Sequence, residues 1–289
     1  MRLALPLHLI EAAELAAALA APRTAQPVVI DCRHDLSRPE WGRQEFAAGH
    51  IPGAVFADLN HDLSAAVTAH SGRHPLPDAM QLAEFLGAAG VAADTHVVAY
   101  DQDKSMFAAR LWWLLRWLGH PRVSVLNGGI AGWRTAGLPL ESVTAARIAR
   151  RFSVRRPLVQ AVTTAEVQRG LAEGQILLLD ARAADRFAGQ NETIDPIAGH
   201  VPGARNQPFA LNLGANGRLQ PATALKSLWQ AALGATPPPR VVAMCGSGVT
   251  ACHNLLAMEV AGLPGARLYA GSYSEWIRDP ARSVATGPA

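Results

Sequence analysis

Cys245 closes an apolar run, Val241-Val242-Ala243-Met244, and opens a glycine-rich turn, Gly246-Ser247-Gly248-Val249, before a helical pattern begins at Thr250. The run reads as a short buried strand. The stretch from Thr250, with Leu255, Leu256 and Val260 directed inward, reads as a helix. Gly246 and Gly248 free the backbone to curl its N–H groups toward one centre, the sulfur of Cys245. Amide hydrogens and a helix N-terminus aimed at a thiol favour the thiolate, which is the nucleophilic form. The alternative is a structural cysteine buried at a strand end. A strand–Cys–Gly-x-Gly–helix order is an anion cradle as well as a turn, so the catalytic reading outweighs it.

The same loop narrows the chemistry. Cysteine phosphatases and arsenate reductases clamp an oxyanion with an arginine six positions after the cysteine. Here that position is Ala251. No Gly-Lys-Ser/Thr ends the loop, so it is not a nucleotide-binding P-loop. Cys245 and Cys252 are too far apart for a Cys-x-x-Cys redox pair or a zinc knuckle. What remains is a lone thiolate among neutral donors, suited to a reaction in which sulfur itself is carried.

The chain that positions this loop has 289 residues, long for one domain and comfortable for two. With 49% hydrophobic and 17% charged residues it is globular with extensive cores, and a net charge of +3 gives no reason to expect a nucleic-acid partner. Three cysteines are too few for a disulfide scaffold, and a reactive thiol suits a reducing compartment. Arg2 precedes apolar residues, but Pro6, His8, Glu11 and Glu14 interrupt them as a signal-peptide core would not. Glu11 to Ala20 reads instead as the first helix. No apolar run is long enough to span a membrane. A cytoplasmic protein with no membrane partner is expected.

One unit is used twice. Val28-Val29-Ile30-Asp31-Cys32-Arg33 recurs as Leu177-Leu178-Leu179-Asp180-Ala181-Arg182, and Gly49-His50-Ile51-Pro52-Gly53 as Gly199-His200-Val201-Pro202-Gly203. Val97-Val98-Ala99-Tyr100-Asp101 matches Val241 to Cys245, and Gly128 to Trp133 echoes Gly271 to Trp276. Each copy alternates short apolar strands with helical stretches, the pattern of a mainly parallel sheet flanked by helices on both faces, an α/β fold. Helices are expected over Leu82–Leu86, Ala108–Leu118, from Thr163 or Thr164 to Leu171, and over Ala222–Leu233. Trp112, Trp113 and Trp117 have core spacing. The expected division is 1–140, a non-catalytic copy; 141–158, a basic linker; and 159–289, the catalytic copy. The linker carries Arg147, Arg150, Arg151, Arg155 and Arg156 with only Phe152 interleaved, and reads as solvated rather than nucleic-acid-binding. His50 and His200 occur once per copy, with or without the cysteine, and read as parts of structural turns. His70 and His74 are four apart, but Gly72 between them argues against a helix and no further ligand completes a metal set.

On these motifs the chain resembles the tandem-domain rhodanese-type sulfurtransferases over nearly its whole length. Its Cys245-to-Thr250 loop is similar to that of the mercaptopyruvate-using branch. The thiosulfate-using branch carries Arg-Lys after the cysteine, where this chain has Gly246-Ser247. The resemblance implies an active site between two rhodanese-like domains, needing no cofactor or metal. Cys245 would form a persulfide from 3-mercaptopyruvate and pass its sulfur to cyanide, a small thiol or thioredoxin. Asp62, His74 and Ser247 would form a proton relay, and the amides from Gly246 through Gly248 and Val249 to Thr250 would stabilise charge on the transferred sulfur. Arg186 would bind the donor carboxylate. Two positions depart from the pattern. Asp195 stands where the branch has a second arginine, a change worth about 1–3 kcal/mol of binding if nothing replaces it. Phe107 stands where a tyrosine is usual. Asp101, in place of the cysteine in the first copy, cannot carry sulfane sulfur. The other functions considered are a thiosulfate:cyanide sulfurtransferase, a persulfide-sensing module without turnover, and a phosphatase-like hydrolase.

Overall fold

The four tetrapeptides that dominate the sequence pattern, at 28–31, 97–100, 177–180 and 241–244, are all strands with every residue buried, apolar apart from the terminal Asp31 and Asp180 and the Tyr100 hydroxyl. Nearly continuous apolar strands are what a parallel sheet covered on both faces requires. The computed structural model describes residues 5–143 and 147–288. Arg2, and residues 144–146 of the linker expected over 141–158, lie outside the described residues.

The first half forms β1 (His8–Ile10), α1 (Ala12–Leu19), β2 (Val28–Asp31), α2 (Trp41–Ala48), β3 (Val55–Phe56), α3 (Ala79–Ala88), β4 (Val97–Tyr100), α4 (Met106–Trp117), β5 (Val123–Leu126) and α5 (Gly129–Thr135). The second forms β6 (Ala161–Val162), α6 (Thr164–Ala172), β7 (Leu177–Asp180), α7 (Ala184–Phe187), β8 (Arg205–Asn206), α8 (Ala222–Leu233), β9 (Val241–Met244), α9 (Thr250–Val260), β10 (Arg267–Tyr269) and α10 (Ser272–Trp276). Each makes a five-stranded parallel sheet, in the orders β1-β5-β4-β2-β3 and β6-β10-β9-β7-β8. Position for position these are the same topology, so the sequence repeat is a structural repeat. Asp31 pairs with Tyr100 in the first sheet as Asp180 pairs with Met244 in the second.

Two compact units result, and their composition does not follow chain order. One comprises Met1–Ser64, Pro77–Leu158 and Ala215–Leu219; the other comprises Ala65–Leu76, Val159–Gly214 and Gln220–Ala289. In the first, Ile10, Leu15, Val29, Val98, Leu126 and Trp133 form the core. In the second, Val167, Leu178, Phe187, Val242, Met244 and Trp276 do so. Trp112 and Trp113 are fully buried, in keeping with their spacing. The described linker residues are tied to the first unit by main-chain bonds from Arg150 N to Gly87 O (2.8 Å) and Arg155 N to Leu118 O (2.9 Å).

The repeated Asp-x-Arg triplets explain themselves in this frame. Arg33 donates from Nη2 to Asp31 at 2.7 Å and to the Gly49 carbonyl at 2.8 Å; Arg182 donates to Asp180 and the Gly199 carbonyl, each at 2.8 Å. Each buried pair thereby fixes the turn that carries His50 or His200. Those rings stack on Phe46 and Phe187 at 3.9 and 3.8 Å, and Nδ1 of each bonds a main-chain carbonyl. Both histidines therefore have packing roles.

Among the described residues, no helix is long and apolar enough to cross a membrane, and no group of His, Cys, Asp and Glu side chains has a metal-holding arrangement.

Candidate active site

The loop Cys245–Val249 leaves the carboxyl end of β9, a central strand, where open parallel sheets expose their functional loops. Two loop amides point at the Cys245 sulfur, Gly248 N at 3.1 Å and Ser247 N at 3.4 Å. Gly248 makes this curl possible. Its φ is +78°, and a β-carbon there would lie 2.4 Å from the Ala270 carbonyl oxygen, so both conformation and space require glycine. Val249 heads α9 and Thr250 is its first residue. That helix is buried from Ala251 to Met258.

Beneath the loop lies the Gly271–Trp276 motif, which the sequence marked only as a repeat. The Ser272 hydroxyl accepts from Cys245 N (3.1 Å), Tyr273 N donates to the Cys245 carbonyl (3.0 Å), and Ser274 N donates to the Gly246 carbonyl (2.9 Å). Ser272 adopts φ = 54°, a left-handed conformation that costs a non-glycine residue about 1 kcal/mol or more. Its two hydrogen bonds, to Cys245 N and to the Tyr269 carbonyl, hold it there.

His74 and Ser247 meet: Nδ1 and Oγ are 2.8 Å apart, both residues buried, with the donor set by the histidine tautomer. His74 lies early in the sequence, yet the segment Ala65–Leu76 folds with the second unit. Asp62 and Phe107 fall in the first unit. The Asp62 carboxylate accepts from Asp58 N at 2.7 Å. Burial pushes its carboxyl above the usual range, against the opposing effect of that N–H. The buried Phe107 ring sits edge-on to His34 at 5.3 Å.

Arg186 is held by a carboxylate the sequence reading missed. Glu192 accepts from its Nε at 3.1 Å and from Nη2 at 2.9 Å, and also takes the N–H groups of Ile194 and Asp195. Burial works to raise the Glu192 carboxyl, but these donors outweigh it and its pKa is lowered. Asp195 has no exposed side-chain surface. It accepts Arg186 Nη2 on Oδ2 at 3.1 Å and Arg73 Nη1 on Oδ1. The position that carries a cation in the mercaptopyruvate branch thus carries an anion bound to two cations. No signal local to Arg73 or Glu192 in the sequence points to either.

In the first unit, Asp101 occupies the place of Cys245. Its carboxylate accepts from the amides of Ser105 (3.0 Å), Phe107 (2.9 Å) and Ala108 (3.3 Å). Burial nonetheless pushes its pKa up to about 6, outweighing those donors. Of the remaining thiols, Cys32 is buried and its pKa is raised well above the usual value by burial and by Asp31 and Asp101, which keeps it neutral. Cys252 is buried and donates to the Gly248 carbonyl at 3.2 Å. A cavity of about 350 Å³ in the first unit is lined by Arg23, Arg122, Arg147 and Arg150 and contains none of the site residues.

The arrangement can take up an electrophilic sulfur: a nucleophilic sulfur under two amides, a hydroxyl–imidazole pair for protons, and arginines for an anionic donor. Known proteins agree with that chemistry. The rhodanese-like domain model matches residues 11–136 and again 163–279. A probable 3-mercaptopyruvate sulfurtransferase of Pseudomonas aeruginosa is 48% identical over 282 residues, covering 97% of this chain and 98% of that protein. A putative thiosulfate sulfurtransferase of Mycobacterium tuberculosis is 38% identical over 285 residues, covering 97% and 98%. The solved 3-mercaptopyruvate sulfotransferase of Escherichia coli matches with a TM-score of 0.79 at 32% identity, covering 93% of this chain and 100% of that one. Two matched domains in tandem, at full length and with the cysteine loop intact, leave one conclusion: the chain belongs to the rhodanese-like family and is a tandem-domain sulfurtransferase.

Proposed function

We propose that Cys245 takes its sulfur from 3-mercaptopyruvate. The Cys245 thiolate attacks the donor sulfur; the new S–S bond forms as the C–S bond breaks, and the electron pair leaves with pyruvate enolate. The donor's S–H proton passes through the Ser247–His74 pair to the enolate carbon, giving pyruvate and a Cys245 persulfide. The Ser247 and Gly248 amides stabilise negative charge on the sulfur, as an oxyanion hole does for oxygen. An acceptor thiolate or cyanide, or reduced thioredoxin, then removes the outer sulfur, so the kinetics are ping-pong. Catalysis belongs to 159–289 with the 65–76 segment. Three free cysteines suit a reducing, cytoplasmic setting.

The observation that carries this reading is the 2.8 Å contact between His74 and Ser247, two residues after a sulfur that receives two amides. The neutral Gly246-Ser247 pair favours mercaptopyruvate over thiosulfate. The experiment is a donor panel read for pyruvate, for sulfide and for a 32-mass-unit gain on Cys245. The expected result is that 3-mercaptopyruvate has the highest kcat/KM and loads Cys245 with release of pyruvate. A higher kcat/KM for thiosulfate would reassign the donor. A loaded cysteine that no acceptor discharges would make the protein a sensor. Arg186→Ala should raise KM for mercaptopyruvate about tenfold.

A further inference from the structure

Asp195 poses a problem for an enzyme that must hold a carboxylate. A buried anion at that position repels the donor unless it is neutralised, and the arginine usual there is missing. The neutralising groups are Arg186 on one carboxylate oxygen and Arg73 on the other. Asp195 therefore acts as a bracket that sets two guanidinium groups side by side.

Arg73 is unusually well placed by its main chain. Its N–H donates to Ser274 Oγ at 3.0 Å, while Ser274 N donates to the Gly246 carbonyl at 2.9 Å. One serine thus ties Arg73 to the residue following the nucleophile. Arg278 Nε donates to the Ser71 carbonyl at 3.2 Å, and a β-carbon on Gly72 would lie 2.4 Å from the Gly271 carbonyl oxygen, so the segment bearing Arg73 lies close against this part of the unit. The side chain extends over the loop. Nη2 lies 2.8 Å from where a β-carbon on Gly246 would be, which also gives Gly246 a reason to be glycine.

The Arg73 guanidinium divides its donors between two sides. Nη1 is spent on Asp195, whereas Nε is buried and has no hydrogen-bond partner among the described residues. Nε and Nη2 form one fork-shaped edge of arginine, the edge that binds a carboxylate with two parallel hydrogen bonds. The Arg73 side chain retains 26% exposure and that of Arg186 19%. A buried donor without an acceptor is unfavourable, and an arriving carboxylate would relieve that cost.

We infer that Arg73 replaces the missing second arginine: its Nε/Nη2 edge, beside Arg186, binds the carboxylate of the sulfur donor, and Asp195 is the positioning residue that aims both. This rests on reading the donor as a keto acid, so the test separates the two claims. Cys245 is alkylated with iodoacetate and with iodoacetamide, which differ in carrying a carboxylate or a neutral amide, and the rates are read by mass spectrometry. KM for 3-mercaptopyruvate is measured in parallel. In Arg73→Ala the iodoacetate-to-iodoacetamide rate ratio should fall about tenfold and KM rise about tenfold, with kcat changed far less. Arg73→Lys, a point charge without the fork, should recover only part of the ratio. The double variant R73A/D195R, which moves the cation to the usual position, should recover more than R73A alone. A ratio unchanged in R73A overturns the inference, as does an equal slowing with both reagents, because the residue would then act on the loop and not on the carboxylate. If the wild type makes no pyruvate but its reagent ratio still depends on Arg73, the donor assignment fails and the carboxylate site stands. If pyruvate forms and R73A leaves KM unchanged, the reverse holds.

Discussion

The loops Asp101–Ser105 and Cys245–Val249 are two versions of one device. Each follows a central strand, β4 or β9, and each is propped from below in the same way. Ile130 N and Ala131 N donate to the carbonyls of Asp101 and Gln102, as Tyr273 N and Ser274 N donate to those of Cys245 and Gly246. Each presents amides to a hydrogen-bond acceptor. In the first unit that group is a carboxylate accepting three N–H bonds; in the second it is a sulfur accepting two. A carboxylate fills the cradle permanently, and it has no lone sulfur to give. The Cys245 sulfur fills it with an atom that can bond outward. The same cradle in both units is thus a structural element of this fold; on the proposed mechanism, reactivity comes from what surrounds the cysteine: the Ser247–His74 contact, Arg73, Arg186 and Asp195.

The largest loss is expected from Cys245→Ser, which leaves the loop and removes the thiol. Sulfur transfer should fall to background, with no 32-mass-unit gain, while the melting transition is retained. Next is the frame common to both units. Arg33→Met and Arg182→Met each strand a buried aspartate, and each should lower the unfolding free energy by about 3–5 kcal/mol in urea titrations. Equal losses would show that the two frames are energetically equivalent. Arg182→Met should additionally raise KM, since Arg182 Nη1 also lies 3.5 Å from Glu192, the residue that holds Arg186.

A smaller effect sharpens the contrast between the cradles. The Asp101 pKa of about 6 exceeds the ordinary carboxylate value near 4, so the folded state holds this proton more tightly than the unfolded chain does. The stability it contributes is present below about pH 4 and is lost as pH rises through about 6, a decline of about 3 kcal/mol. Asp101→Asn should lack that decline, which denaturation at pH 4 and pH 7 would reveal. A parallel decline in both proteins would locate the titrating group elsewhere. Last, Cys252→Ser should change kcat/KM by less than about twofold, since a hydroxyl can still donate to the Gly248 carbonyl. A large loss would extend the reactive chemistry beyond Cys245.

The repeat, the strands and the cysteine loop were legible because they are local: a buried parallel strand is a run of apolar residues, and a turn that needs φ > 0 shows its glycine. Some helix ends were as clear, though α3 runs Ala79–Ala88, past the expected Leu82–Leu86 at both ends. Thr163 caps α6 with Glu166 reciprocating, and α8 spans the expected Ala222–Leu233. What could not be read were partners distant along the chain. Arg73 lies in a Gly-Arg-His-Pro loop that gives no hint of Asp195, and Ser274 meets Gly246 only because strands β9 and β10 are neighbours. Glu192 has no neighbour in the sequence that marks it as the partner of Arg186. The departure at Asp195 was visible in the sequence; its compensation was not.

The short segment 65–76 is the unassuming part of this molecule with the widest reach. It is encoded upstream of α3 but lodges with the second unit, while 215–219 is exchanged the other way, where Arg218 bonds Glu11 at 2.9 Å and Leu219 N bonds Asn127 Oδ1 at 2.9 Å. A fragment excised as 159–289 would therefore keep its thiol and forfeit both Arg73 and His74. Two halves that began as copies have become indivisible: neither can be cloned away from the other without surrendering something the other encodes.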